Sequence, residues 1–180
     1  MIRHTFKEIR QMVGMPDLTL EGVVHIVDGH LALDLQNADL YDADLYDADL
    51  KGADLTDADL FGAKLQYADL REANLTNADL THAKLRGTML RGATLYDADL
   101  QWANLQNAQL QETNLQDANL SWTNLQGANL YGADLTDADL RGADLTDAIL
   151  TNSILIDAIL PNWTIWDNSV YMSKFTDKEL

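Results

Sequence analysis

The sequence predicts an all-β solenoid, in which the chain winds repeatedly around its own apolar axis. Leu occurs at every fifth position from Leu40 to Leu160, without insertion or deletion. Residues 36–160 number 125, so division by five gives 25 consecutive pentapeptides. Ala lies two positions before that Leu in most copies, and such a short fixed period determines the fold of a repeat protein. The exceptions are small residues: Thr88, Thr113, Thr123 and Ser153.

A five-residue period suits neither an amphipathic helix nor a regular strand, whose apolar residues recur at about 3.6 and 2 residues. The Ala and Leu of one copy are two apart, so they point to the same side of a short extended segment. The two variable residues must then turn the chain so that the next Ala and Leu also point inward. Small Ala and large Leu alternate to fill a narrow interior. The residues leave open how many sides each coil has.

The string A(D/N)LXX, as in Ala43-Asp44-Leu45-Tyr46-Asp47 and Ala118-Asn119-Leu120-Ser121-Trp122, resembles the pentapeptide repeat family. This resemblance implies a right-handed, four-sided parallel β-helix with about four pentapeptides per coil. Twenty-five copies would then form a little over six coils. At a strand spacing of ~4.8 Å, the helical part would be roughly 30 Å long.

Residues 1–35 are predicted to cap the amino-terminal end of the solenoid. Thr5 and Glu8 form a capping-box pattern, which predicts a short helix. Two apolar alternations flank Asp28-Gly29 and predict a β-hairpin. Alternatively, residues 31–35 form an irregular first repeat.

Residues 161–180 are predicted to cover the other end. The residue before the core Leu is usually Asp or Asn, but it is Ile149, Ile154 and Ile159 in the last three copies. Such outward apolar residues need a cover. Trp163 and Trp166 in the tail would provide it within one chain, or this end forms a homodimer contact.

The composition limits the classes of partner. A formal net charge of −17 disfavours direct binding to nucleic acid or to an anionic membrane. No cysteine is present, so disulfides and cysteine metal sites are excluded. The amino terminus lacks the apolar stretch of a signal peptide, and we therefore expect a cytoplasmic protein.

Basic residues recur at twenty-residue spacing and predict a docking patch for an acidic partner surface. If one coil contains twenty residues, such residues stack in columns. The alternative is that Glu72 and nearby Asp residues simply neutralise them. The basic residues are Lys51, Arg71 and Arg91 in one column, Lys64 and Lys84 in another, and Arg86 beside them.

Aromatic residues form columns as well. Trp102 and Trp122 are twenty residues apart and follow His82, while Tyr41 and Phe61 form a neighbouring pair. Stacking between coils stabilises such pairs without a partner. Aromatic residues also anchor protein interfaces, so Trp102 and Trp122 are candidate partner-binding residues.

No catalytic arrangement is recognisable, and we expect neither an enzyme nor a cofactor. The Ser and His residues form no partnered set, and no glycine-rich phosphate loop occurs. The stacked Asp and Asn residues lack the spacing of a calcium loop and suit hydrogen bonds to turn backbone.

The sequence therefore predicts a non-catalytic protein-interaction scaffold whose partner is another protein. The resemblance implies an alternative, a mimic of duplex DNA that inhibits or protects DNA gyrase or topoisomerase IV. Summed by coil, however, the charge becomes +2 in the third coil, where a mimic should stay negative.

Overall fold

The computed structural model describes residues 24–27 and 30–162, and its main body is a parallel β solenoid. From Asp34 to Ile159, the residue before each core Leu pairs in parallel with the residue twenty positions later. Backbone hydrogen bonds run on both sides of each pair: the amide of Leu80 donates to the carbonyl of Asp99 at 2.7 Å, and the amide of Asp99 donates to that of Ala78 at 3.0 Å. One coil therefore contains twenty residues, as the resemblance to the pentapeptide repeat family implies.

Each coil has four faces because one pairing residue occurs in every pentapeptide. We number the faces by these central residues. Face 1 is centred on residues 39, 59, 79, 99, 119, 139 and 159; face 2 on 44, 64, 84, 104, 124 and 144; face 3 on 49, 69, 89, 109, 129 and 149; and face 4 on 34, 54, 74, 94, 114, 134 and 154. Corners are named by the faces they join, so residues 41–42 and their equivalents form corner 1/2.

Every corner is a β-turn closed by a backbone hydrogen bond. The amide of Ala98, for example, donates to the carbonyl of Leu95 at 3.2 Å. The third turn residue has a positive φ in all 25 turns between residues 37 and 157, and seven of these residues are Gly. The left-handed region is easiest for Gly, Asn and Asp, which explains why these types dominate the position.

The core is the axis of the solenoid. Leu40 to Leu140 are at most 1% exposed, and the paired Ala residues between Ala53 and Ala138 are equally dry. The buried Thr residues that replace Ala satisfy their hydroxyl groups: Thr88 Oγ1 donates to the carbonyl of Leu65 at 2.7 Å. Thr113 and Thr123 do the same with Leu90 and Leu100. The predicted dry interior of Ala and Leu is confirmed.

Before the solenoid, two short strands pair in antiparallel fashion. Strand β1 (Val24–Val27) pairs with β2 (His30–Leu33), with Val27 opposite His30. Asp34 directly after β2 already pairs with Asp54 of the next coil, so strand β2 leads into the first coil. The predicted helix near Thr5 and the turn at Asp28-Gly29 lie outside the described residues. Within the described residues, no helix has the length and hydropathy needed to cross a membrane.

Candidate binding surface

A continuous ladder of five aromatic rings runs along corner 1/2. Tyr41 stacks on Phe61 with ring centroids 5.2 Å apart, and Phe61 meets His82 edge to face at 5.4 Å. His82 stacks on Trp102 at 6.4 Å, and Trp102 stacks on Trp122 at 5.2 Å. The two aromatic columns predicted from the sequence are therefore one ladder, joined by the contact between Phe61 and His82.

The two Trp rings present their edges to solvent. Trp102 has His82 on one side and Trp122 on the other, so both of its faces are covered. Trp122 lies between Trp102 and Gly142, where an added Cβ would come within 2.5 Å of the indole ring. The residues nevertheless remain 49% and 46% exposed.

These rings occupy strained backbone positions. His82, Trp102 and Trp122 have φ values of 59°, 62° and 60°. The third turn residue has a positive φ in every turn from residue 37 to residue 157, and bulky rings are unusual there because Gly, Asn or Asp occupies most of the other turns.

Face 2 forms a groove next to this ladder. Its far wall, at corner 2/3, contains Tyr46 and Tyr67, whose rings meet edge to face at 5.7 Å. The Tyr67 ring also covers Gly87, since an added Cβ there would lie 2.8 Å from the ring. The groove is lined by Tyr46, Gln66, Tyr67, His82, Lys84, Arg86 and Asn104. We call this groove together with Trp102 and Trp122 the aromatic–cation surface.

The six predicted basic residues separate into two groups. Lys51, Arg71 and Arg91 lie on corner 3/4, and face 3 separates them from Lys64 and Lys84 on face 2 and Arg86 on corner 2/3. All three residues of corner 3/4 have acidic partners, as the neutralisation alternative expects. Lys51 pairs with Glu72 at 3.5 Å, Arg71 pairs with Asp69, and Arg91 pairs with Glu112 at 3.4 Å.

On face 2, Lys64 pairs with Asp44 at 3.2 Å. The hydrogen bond and charge of Lys64 lower the pKa of the Asp44 carboxyl. Among the described residues, Lys84 and Arg86 form no ion pair. The available positive charge is thus concentrated in the groove.

The part of the solenoid around corner 4/1 is acidic. Faces 4 and 1 and corner 4/1 between them have no Lys or Arg among the described residues. They contain thirteen Asp residues: 34, 39, 54, 57, 59, 79, 97, 99, 117, 134, 137, 139 and 157. We call these three regions the acidic side.

The Asp and Asn residues of the face centres act on the backbone, as predicted. All eighteen that occupy this position between residues 34 and 144 accept a hydrogen bond from the amide two residues later, at 2.9–3.4 Å. No group of three or more His, Asp or Glu side chains within residues 33–162 is arranged to hold a metal ion.

The carboxy-terminal candidates lie apart from this surface. Ile149 and Ile154 are 47% and 44% exposed on faces 3 and 4, while Ile159 on face 1 is half-buried. Trp163 and Trp166 lie outside the described residues. A cap or dimer contact at this end therefore stays a prediction.

Sequence reasoning missed part of the groove. Tyr46, Gln66 and Tyr67 were not selected, because Tyr46 and Tyr67 are 21 residues apart and occupy different turn positions. The same offset separates Phe61 from His82. A search for aromatic pairs at spacings of both 20 and 21 would have found both contacts.

The family model for pentapeptide repeats matches the chain with eight copies, over residues 33–57, 58–95, 93–130 and 128–162. No curated protein sequence matches the chain.

Several solved structures are similar to it. The pentapeptide repeat protein Rfr23 from the cyanobacterium Cyanothece 51142 is 37% identical over 58% of this chain, with a TM-score of 0.40. That alignment spans 65% of Rfr23, just under two thirds of its length. HetL, involved in heterocyst differentiation regulation in Nostoc sp. strain PCC 7120, is 35% identical over 74% of this chain and 76% of its own, with a TM-score of 0.30. QnrB1, a plasmid-mediated fluoroquinolone resistance protein, is 24% identical over 69% of this chain and 75% of its own, with a TM-score of 0.37.

Proposed function

Because the chain belongs to the pentapeptide repeat family, we propose that it is a non-catalytic scaffold that binds another protein through the aromatic–cation surface. One observation supports this above all: Trp102 and Trp122 are held at strained corners yet stay about half exposed. Smaller rings would provide the same stacking between coils with less backbone strain. Trp is the residue type most enriched among residues that dominate interface energies.

The stiffness of the solenoid favours this role. Backbone hydrogen bonds join each coil to the next, so the side chains of face 2 have fixed spacing before a partner arrives. Binding to a preorganised surface avoids much of the entropy cost of ordering loops.

The test is partner capture from cells that express the protein. Trp102→Asn/Trp122→Asn removes both rings but keeps a residue type that already occupies this turn position at Asn77 and Asn107. We expect the captured partner to fall by about tenfold or more, the scale of an interface hot spot. Tyr96→Thr on the acidic side is the matched control, since Tyr96 is 40% exposed. Equal capture by native protein and the Trp double variant would contradict the proposal.

A second candidate function is mimicry of duplex DNA towards gyrase or topoisomerase IV, and the acidic side favours it. The +2 charge of the third coil comes from Lys84, Arg86 and Arg91, none of which lies on that side. Thirteen carboxylates over ~30 Å are roughly one per 2 Å, close to the one per ≈1.7 Å of duplex DNA. The positive total charge of the third coil therefore does not argue against DNA mimicry by the acidic side.

A supercoiling assay tests the second candidate. A molar excess of the protein should inhibit DNA supercoiling by gyrase or protect the enzyme from a quinolone. Asp97→Asn/Asp99→Asn/Asp117→Asn should weaken the effect, because it removes three adjacent charges and keeps the turn hydrogen bond of residue 99. No effect of native protein at any excess would exclude mimicry of these enzymes.

We propose further that the coil is right-handed and that the protein is cytoplasmic. Residues 1–35 and 161–180 would close its two ends. The exposed Ile149 and Ile154 support a cover at the carboxy-terminal end, either the tail or a second copy. Light scattering at two concentrations distinguishes these: a constant monomer mass supports the tail, and a mass that doubles with concentration supports the dimer.

A further inference from the structure

We propose that the aromatic–cation surface recognises an extended acidic segment of its partner protein. This rests on the proposed scaffold function and specifies the chemistry of what the scaffold binds. Three features of the surface lead to it: unpaired positive charge, outward ring edges and a straight groove.

The charge of the surface is uncompensated. Lys84 and Arg86 form no ion pair among the described residues, whereas the other basic residues of the predicted patch all do. Between residues 70 and 143, face 2, corner 2/3 and face 3 contain no Asp or Glu at all. Carboxylates of a bound segment would supply charge-assisted hydrogen bonds that the protein itself lacks.

The aromatic ladder adds to this preference. An aromatic ring is negative over its face and positive around its edge. Both faces of Trp102 are covered by neighbouring rings, and Trp122 lies between Trp102 and Gly142. Solvent therefore meets positive ring edges, which attract anions.

The same arrangement disfavours single-stranded nucleic acid. Proteins that bind single strands offer free aromatic faces on which bases stack. Here the faces of the two indoles are already occupied. The net charge of −17 also opposes a polyanionic backbone as long as that of a nucleic acid.

The groove is long enough for a short extended peptide. From Tyr46 to Asn104 it crosses three coil spacings, or roughly 14 Å at ~4.8 Å each. An extended chain rises about 3.3 Å per residue, so the groove accommodates about four residues.

The acidic side adjoins this surface at corner 1/2, where Asp79 and Asp99 of face 1 lie three residues before His82 and Trp102. Face 4 is opposite Lys84 on face 2, and corner 4/1 is opposite Arg86 on corner 2/3, about 10 Å or more away for a coil whose sides are three extended residues long. The Debye length is about 8 Å at physiological ionic strength, so the carboxylates of face 4 and corner 4/1 are largely screened from the two cations.

Fluorescence anisotropy with a labelled hexaglutamate peptide tests the inference. We expect the native protein to bind hexaglutamate in about 0.15 M salt, and to bind hexaglutamine and a six-base oligothymidylate about tenfold or more weakly. Lys84→Gln/Arg86→Gln should reduce hexaglutamate affinity by about fivefold or more. Lys51→Gln/Arg91→Gln removes the same charge from corner 3/4 and should change it by less than about twofold.

Several outcomes would overturn the inference. These are no hexaglutamate binding up to about 1 mM, equal losses in the two double variants, or tighter binding of oligothymidylate. Self-association of the native protein that Lys84→Gln/Arg86→Gln abolishes would assign the surface to the acidic side of a second copy instead.

The scaffold function fails differently. If Trp102→Asn/Trp122→Asn loses the cellular partner while hexaglutamate never binds, the scaffold function stands and the acidic segment is wrong. If hexaglutamate binds through Lys84 and Arg86 while partner capture ignores the Trp variant, the acidic preference stands and this surface is not the scaffold's docking site.

Discussion

The acidic side and the aromatic–cation surface are built on the same backbone and differ only in outward side chains. On the acidic side, Asp recurs in nearly every coil and accepts a hydrogen bond from its own turn, as Asp79 and Asp99 do. On face 2, Lys64 and Lys84 replace that acceptor, and large rings replace Gly, Asn or Asp at the adjoining corners. The difference shows that the inward Ala and Leu of the repeat maintain the fold, while the outward residues are free to differ from one face to the next.

Summing charge along the chain hides this sorting. The third coil is positive as a whole, although its share of the acidic side still contains Asp79 and no base. A partner contacts residues that are stacked along one face or corner, so the charge of that column matters and the total charge of a coil does not. A solenoid can therefore present a different surface on each face.

The largest effect is expected in the core, which both sides share. Leu100→Ala on face 1 and Leu105→Ala on face 2 each empty a fully buried position. We expect each to lower the free energy of unfolding by about 2–5 kcal/mol, through lost burial and the remaining cavity. Chemical denaturation should give equal losses within about 1 kcal/mol.

A matched surface control is Lys84→Ala, which should change stability by a few tenths of a kcal/mol at most. A much larger loss of stability for one of the two Leu variants would contradict the view that the two sides differ only in their outward side chains, since their interiors would then differ as well.

The next effect comes from a Gly beneath the aromatic ladder. Gly142→Ala places a Cβ within 2.5 Å of the Trp122 ring at a φ of 68°. Gly52→Ala has a similar φ of 65° but meets nothing within 4 Å. We expect Gly52→Ala to cost about 1 kcal/mol of backbone strain and Gly142→Ala about 1–2 kcal/mol more because the ring must move.

Thermal unfolding measures both Gly variants, and tryptophan fluorescence should shift only in Gly142→Ala. Equal costs without a fluorescence change would show that the ring is not held over Gly142.

The period of the sequence was sufficient to predict the dry axis. Leu at every fifth position and Ala two places before it require such an axis, and the structure confirms the interior. The twenty-residue coil, which the structure also shows, was implied by the resemblance to the pentapeptide repeat family, because the residues leave the number of sides open. The role of Asp and Asn in the turns was predictable too, because their short side chains reach backbone amides. The handedness of the coil and the closure of its ends stay predictions.

Only those surface contacts that join residues twenty positions apart were predictable from the sequence. Trp102 and Trp122 follow directly from their spacing of twenty residues. The contacts of Phe61 with His82 and of Tyr46 with Tyr67 do not, since a side chain at one turn position leans towards the other in the next coil. Ion pairing was equally hidden: Lys51 and Arg86 look alike in sequence, but among the described residues only Lys51 of the two forms an ion pair.

A smaller effect separates the face centres of the two sides. Asp79 accepts a hydrogen bond from the amide of Thr81 at 2.9 Å. Asp79→Ala leaves that donor unpaired and should cost about 1 kcal/mol, whereas Asp79→Asn keeps the acceptor and removes the repulsion of residue 79 with Asp59 and Asp99 in its column. Urea unfolding should rank Asp79→Asn at or slightly above native protein; a loss as large as that of Asp79→Ala would count against the turn hydrogen bond.

The smallest effect is the acid sensitivity of the pair formed by Asp139 on the acidic side and Arg141 on corner 1/2. Burial acts to raise the pKa of Asp139, but the hydrogen bonds and charge of Arg141 outweigh it, so the pKa is lowered. A carboxyl with a lowered folded-state pKa contributes stability that is present above its ordinary value of about 3.9 and is lost as the pH falls through the lowered value. Arg141→Gln should therefore be slightly less stable than native protein near pH 6.

That difference should shrink as the pH is lowered from about 6 to about 2, because the contribution of the pair is lost as the pH falls through the lowered pKa of Asp139. Arg91→Gln is the control, because Arg91 and its partner Glu112 are 62% and 56% exposed and such pairs contribute little. Denaturation curves of the three proteins at the two pH values measure the effect. A deficit of Arg141→Gln that persists at low pH would mean that Arg141 stabilises the corner by packing its aliphatic stem, and the acidic side would then be independent of this cation.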